Sequence, residues 1–127
     1  MRVPCITVFL LLLILPATGC SNSDANVTIE HKMAVIQAQG SVSDNDPLVK
    51  QFADHLDSLE RKTTQSRKKI ADITVVAWQD IHKNTNIDDS LLETINALDN
   101  CIPDNYSCKL DFAEVAAVYM TAREKGK

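Results

Sequence analysis

Glycine is scarce in this chain, with 3 in 127 residues, and proline numbers 4. Between Leu48 and Ile102 there is neither. The shortage excludes Gly-rich phosphate loops and nucleophile elbows, which need glycine where the backbone turns tightly or approaches a ligand. Aromatic residues are also few, at 5%, and Trp78 is the sole tryptophan. The three histidines, His31, His55 and His82, are too far apart in sequence to make a zinc pattern with the cysteines. No apolar run reaches the ~18 residues of a membrane-spanning helix. Basic residues are outnumbered, 13 against 17 acids, for a net charge of −4. A general nucleic-acid binder needs a clustered positive surface, so that class is disfavoured.

The chain does have a strongly patterned start. Arg2 precedes an apolar run from Cys5 to Leu15, Pro16 breaks it, and small residues follow. This is the pattern of an export signal, with residues 1–19 removed on maturation. Taking 19 from 127 leaves 108 residues, enough for one domain with a modest core. The loss of Arg2 leaves 12 of the 13 cations against 17 acids, a net −5.

The residues Leu15-Pro16-Ala17-Thr18-Gly19-Cys20 resemble the lipobox of bacterial lipoprotein precursors. Gly19 and Cys20 match the pattern, and Ala17 departs from it where the family usually has leucine. The resemblance implies that Cys20 becomes the first mature residue and carries lipid, with Ser21 suggesting outer-membrane rather than inner-membrane retention. Ala17 and Gly19 also satisfy the small-x-small rule of an ordinary secretory signal. Both readings cut before Cys20. If Cys20 is acylated, Cys101 and Cys108 remain as one pair and no thiol is left over. Six intervening residues suffice to fold back and join those two, and the compartment is oxidising. If Cys20 is not acylated, it is a free thiol on a soluble secreted protein.

Residues 20–45 are read as a polar tether. Within it Ile29, Met33 and Ile36 fall at helical spacing and mark a short helix near 28–39. The helical domain is expected over 46–127. Asp46-Pro47 is a helix start, and Val49, Phe52, Leu56 and Leu59 form the apolar stripe that follows. The polar residues at Thr63 and Ser66 leave two options, one long helix or a break near Thr63–Ser66, and hydroxyls that compete for backbone bonds and cap well favour a break or kink. In that helix Ile70, Ile73, Ala77 and Ile81 make one apolar face, and Ala71, Val75 and Trp78 another. Ser90 and Glu93 form a capping box for a third helix carrying Leu91, Leu92, Ile95 and Leu98. Asp111, with Glu114 three residues on, starts a fourth, packed through Phe112, Val115, Ala116 and Tyr119. No segment alternates with period two. The expectation is an all-α bundle of three to four helices with one disulfide.

Three features are candidates for partner binding. The loop between Cys101 and Cys108 displays Asp104, Asn105 and Tyr106. Arg61, Lys62, Arg67, Lys68 and Lys69 lie within nine residues free of acid. On a continuous helix they would share a face toward anionic lipid or an acidic partner. Trp78 belongs to the core or to an interface. The far end of the chain is acidic, with Asp88, Asp89, Glu93, Asp99, Asp104, Asp111 and Glu114. No metal, cofactor or nucleophile constellation can be assembled, and Asp44-Asn45-Asp46 fails as a calcium loop at Pro47 and Leu48. The expected function is therefore non-catalytic protein–protein binding in the cell envelope, of inhibitor, immunity or exclusion type. A structural accessory of an envelope assembly and a soluble periplasmic carrier of a small ligand are the alternatives. The expected location is the periplasmic face of the envelope, on a lipid anchor.

Overall fold

Thr28 opens the first helix of the computed structural model, which describes residues 27–126. The export signal, the lipobox and Cys20 lie outside the described residues. The Thr28 hydroxyl accepts from the His31 amide and starts α1, Ile29–Ala38. This helix packs mainly on α2, Pro47–Lys62, and buries Met33 and Ala34 completely. The packed unit thus reaches back to residue 28, well inside the stretch read as a tether. The face it uses is rotated from the apolar triad, leaving Ile36 39% exposed while Ala34 is sealed.

Helix α1 ends on Gln39, which adopts φ 57°, with its amide bonded to the Val35 carbonyl. A left-handed cap strains any residue with a Cβ, and the neighbouring Gly40 does not relieve it. Gln39→Gly is therefore expected to stabilise the fold by about 0.5 kcal/mol net of glycine's unfolded-state entropy, read as a raised urea midpoint at unchanged slope.

Asp46 caps α2 through its side chain, which accepts from the Leu48 amide. The helix stops at Lys62, and α3 runs Arg67–Asn84 from its Ser66 cap. The break predicted at the hydroxyl cluster is present, so the two halves of the cationic run do not share one helix face. Arg61 and Lys62 close α2, where the helix dipole favours cations. Arg67, Lys68 and Lys69 open α3, where it does not. Ser90 and Glu93 make the full reciprocal box at the start of α4, Leu91–Asn100. Asp111 caps α5, Phe112–Lys125. At this last start Glu114 does not close a reciprocal box, and the side chain of Gln65 instead braces the cap. Its Oε1 accepts from the Phe112 amide at 2.7 Å, and its Nε2 donates to Asp111 at 2.7 Å.

The described residues thus form an all-α fold of five helices rather than three to four. Helices α2, α3 and α4 meet at the centre, α1 covers one side and α5 packs on α3. Phe52, Leu56, Leu59, Ile70, Leu91, Ile95, Leu98 and Phe112 are fully enclosed there. None of the described helices is long and apolar enough to cross a membrane. The expected staple is not formed: Cys101 and Cys108 are free, exposed thiols. The loop is closed by other bonds, described next.

Candidate partner-binding site

The 101–108 segment is held at both ends by backbone and core contacts. Cys101 caps α4, and Ile102 plugs the core at 1% exposure. The Tyr106 amide donates to the Pro103 carbonyl at 3.2 Å, which turns the chain at Asp104-Asn105. Beyond the loop, the Leu110 amide donates to the Lys62 carbonyl and the Thr64 amide to the Leu110 carbonyl, both at 3.0 Å. This short bridge stitches the return strand of the loop to the α2–α3 break.

Lys62 then ties the loop to the helices. Its ammonium donates to Asp99 Oδ1 at 2.8 Å, to the Asp99 carbonyl at 3.1 Å and lies 3.1 Å from Asp104 Oδ1. Asp99 is a buried carboxylate, 7% exposed, and it gathers three side chains of α2. His55 Nδ1 lies 2.9 Å from Oδ2, and the Ser58 hydroxyl donates to Oδ1 at 2.7 Å. Residues 55, 58 and 62 fall on one helical face, so a single acid on α4 serves all three. Burial pushes the Asp99 carboxyl up, but hydrogen bonds from Lys62, His55 and Ser58 outweigh it and hold the group below its ordinary value. For Lys62 burial pulls down, and Asp99 and Asp104 more than reverse it. The trio of Ser58, His55 and Asp99 has the composition of a hydrolytic triad but not its order. The carboxylate stands in the middle and Ser58 donates its proton to it, so the imidazole does not face the hydroxyl.

Next to this anchor is a surface hollow of about 420 Å³ lined by Arg61, Lys62, Asp104, Tyr106, Ser107, Cys108 and Lys109. Tyr106 is 53% exposed at its edge. Lys62 is answered by Asp99 and Asp104, which leaves Arg61 and Lys109, the latter donating to the Glu60 carbonyl at 3.5 Å, as the cations without a facing acid. The net character of the hollow is cationic, with an aromatic wall. The fold therefore brings together two of the sequence features, the 61–62 cations and the 104–106 loop, that lie more than forty residues apart. Asn105 is exposed at the turn and does not line the hollow.

The remaining candidates are elsewhere. Trp78 is half-buried, donates Nε1 to the Asp89 carbonyl at 3.0 Å and meets the His82 ring edge-on at 5.2 Å. Its polar handle is used internally. Arg67 is enclosed by Asp57 at 2.6 Å, Glu60 at 2.8 Å and Glu30 at 3.2 Å, joining α1, α2 and α3. Lys68 pairs with Asp72 at 2.8 Å, and Lys69 is exposed. The acidic end is largely consumed as well: Asp89 bonds Arg123, Asp88 faces His82, and Asp99 and Asp104 share Lys62. Asp44, from the sequence that begins like a calcium loop, pairs with His31 at 2.9 Å. Among the described residues no group of three acids, cysteines or histidines is disposed to hold a metal ion.

Sequence reasoning missed Asp99, Gln65 and the closed role of Arg67. Comparison with protein-family models, curated proteins and solved structures finds no match.

Proposed function

We propose that this chain is an exported, lipid-anchored helical protein that acts by protein–protein binding in the cell envelope, as an inhibitor, immunity or exclusion factor. The hollow beside Tyr106 is its docking point. The observation that carries this reading is the convergence of Arg61 and Lys109 with an exposed tyrosine on a loop that Lys62 and the core hold in place. Arginine and tyrosine are the residue types that concentrate binding energy at interfaces, and a loop already held in place loses little entropy on docking. The partner it suits presents an acidic side chain beside an apolar one. Lipid on Cys20 would keep the domain at the membrane surface, facing the periplasm. In an oxidising compartment Cys101 and Cys108 would join, closing an eight-residue ring and adding about 2.5 kcal/mol by chain-entropy bookkeeping.

Crosslinking in intact envelopes, followed by affinity measurement with the captured partner, tests the docking point. Tyr106→Ala and Arg61→Glu are each expected to weaken binding at least roughly tenfold while helix content and melting stay unchanged. A partner held equally well by both variants would place the interface elsewhere. Intact mass from the membrane fraction, with and without reduction, tests the anchor and the disulfide separately from the partner.

A further inference from the structure

Helix α5 buries Phe112, Ala116 and Tyr119 in the core, with Val115 and Met120 packed partly against it. Its opposite face carries Glu114, Val118, Thr121, Ala122 and Lys125 at helical spacing. Val118 is 71% exposed, more than Val76 at 59% or Ile36 at 39%. On one side of this ridge is a hollow of about 390 Å³ that includes Cys101, Val115 and Tyr119. The outer face itself carries a shallow hollow of about 430 Å³ that includes Ala117 and Thr121. Val118 and Ala122 border both. A shallow face built of small residues, with a hollow along one side, is a shape that a like helix can pack on at close axial distance.

The charges at its two ends select the occupant. Glu114 and Lys125 are exposed, and neither has a partner among the described residues. A two-fold axis between positions 119 and 120 brings Glu114 of one copy against Lys125 of the other at both ends. The same operation sets Val118 against Thr121 and Ala117 against Ala122. Antiparallel helix dipoles also align favourably in this arrangement. An unrelated helix would have to supply the reversed charge pattern, whereas a second copy contains it.

We propose that the outer face of α5 is an isologous homodimer interface, two copies pairing antiparallel about Val118 and Thr121. Fourteen residues span only ~21 Å, so one helix pair buries less than the ~1,200 Å² of a standard interface. The dimer is accordingly weak, with a Kd on the order of 100 μM.

Sedimentation equilibrium of the purified full mature protein in density-matched detergent tests this, with non-reducing electrophoresis excluding covalent dimers. The expected result is a monomer–dimer equilibrium that Val118→Lys weakens at least roughly tenfold without changing helix content. Glu114→Lys and Lys125→Glu are each expected to weaken it roughly threefold, and the two together to restore it. Absence of a dimer at millimolar protein, or a dimer indifferent to Val118→Lys, overturns the interface. Failure of the double swap to rescue overturns the antiparallel pairing.

Discussion

Asp99→Ala is expected to cost about 3–5 kcal/mol, the largest effect of any single side chain outside the apolar core. The substitution removes the one acceptor that Ser58, His55 and the Lys62 ammonium share. The Lys62 side chain is 10% exposed, so without Asp99 a nearly enclosed positive charge keeps only Asp104, itself 91% exposed, as counter-ion. Breaking one partner of a buried pair is costly because the other stays behind, not because the pair itself is strongly stabilising. Replacing both charges, as Lys62→Met with Asp99→Leu, is therefore expected to cost less than Asp99→Ala alone. Chemical denaturation followed by circular dichroism measures both, and the single change should lower Tm by roughly 12–25 °C for a domain of this size. A cost below about 1 kcal/mol for Asp99→Ala would mean that the hub is solvated in solution.

The pH dependence follows from the direction of the Asp99 shift. The folded state holds its carboxyl below the ordinary value of 3.8. Its contribution is thus fully present above that value and is lost as the pH falls through the lower folded value. The gap between wild type and Asp99→Ala should be widest near neutrality and narrow in strong acid. Lys62 works at the opposite limit. Raised above 10.5, its contribution persists below that pH and fades as alkali deprotonates it in the folded state. Asp99 also orients Lys62 toward Asp104, so the same substitution should loosen the 101–108 loop and the wall of the proposed docking hollow.

Features governed by neighbours in sequence were legible without coordinates. The Asp46, Ser90 and Asp111 caps each depend on groups within three or four residues. The break at Thr63–Ser66 follows from hydroxyls that prefer to cap. The stripe of α2 was legible for the same reason, since apolar spacing alone places Phe52, Leu56 and Leu59 inward. What escaped depends on partners brought from afar. Asp99 lies 37 to 44 positions from the side chains it gathers, and in sequence it is one more acid at an acidic end. The available signal was His55, Ser58 and Lys62 at intervals of three and four beside the apolar stripe, a polar seam that needs a buried acceptor. Gln65 bonds residues 46 and 47 positions away, and nothing local marks it. Helix α1 was half legible. The spacing of Ile29, Met33 and Ile36 announced a helix, but a stripe of three cannot fix its rotation, and Ala34 proved the better-buried residue. The cationic run shares one face only on a continuous helix, and the break sends its charges to two different helix ends.

Arg67→Ala is expected to cost about 2–3 kcal/mol and to act most strongly on α1. Arg67 sits at the first position of α3, where three successive cations oppose the helix dipole and the first turn holds no acid. The conflict is resolved by acids from elsewhere in the fold. Glu30 comes from α1, Asp57 and Glu60 from α2, and the Ala53 carbonyl accepts at 3.4 Å. Removing the guanidinium leaves three carboxylates around an empty site and cuts the ion pair that ties α1 to the α2–α3 junction. What then holds α1 is its buried Met33 and Ala34, and the Gln37 side chain accepting from the Leu92 amide at 2.7 Å. Hydrogen exchange should therefore show amides of 29–38 losing protection well before those of α4. Arg67→Lys keeps the charge but not the fork that reaches three acids at once, and it should recover less than half of the loss. Asp57 and Glu60 are 56% and 40% exposed, so their share should weaken with added salt, while that of Glu30, 19% exposed, should resist it. Uniform loss of protection across all five helices would instead mean that Arg67 supports the core as a whole, with no special claim on α1.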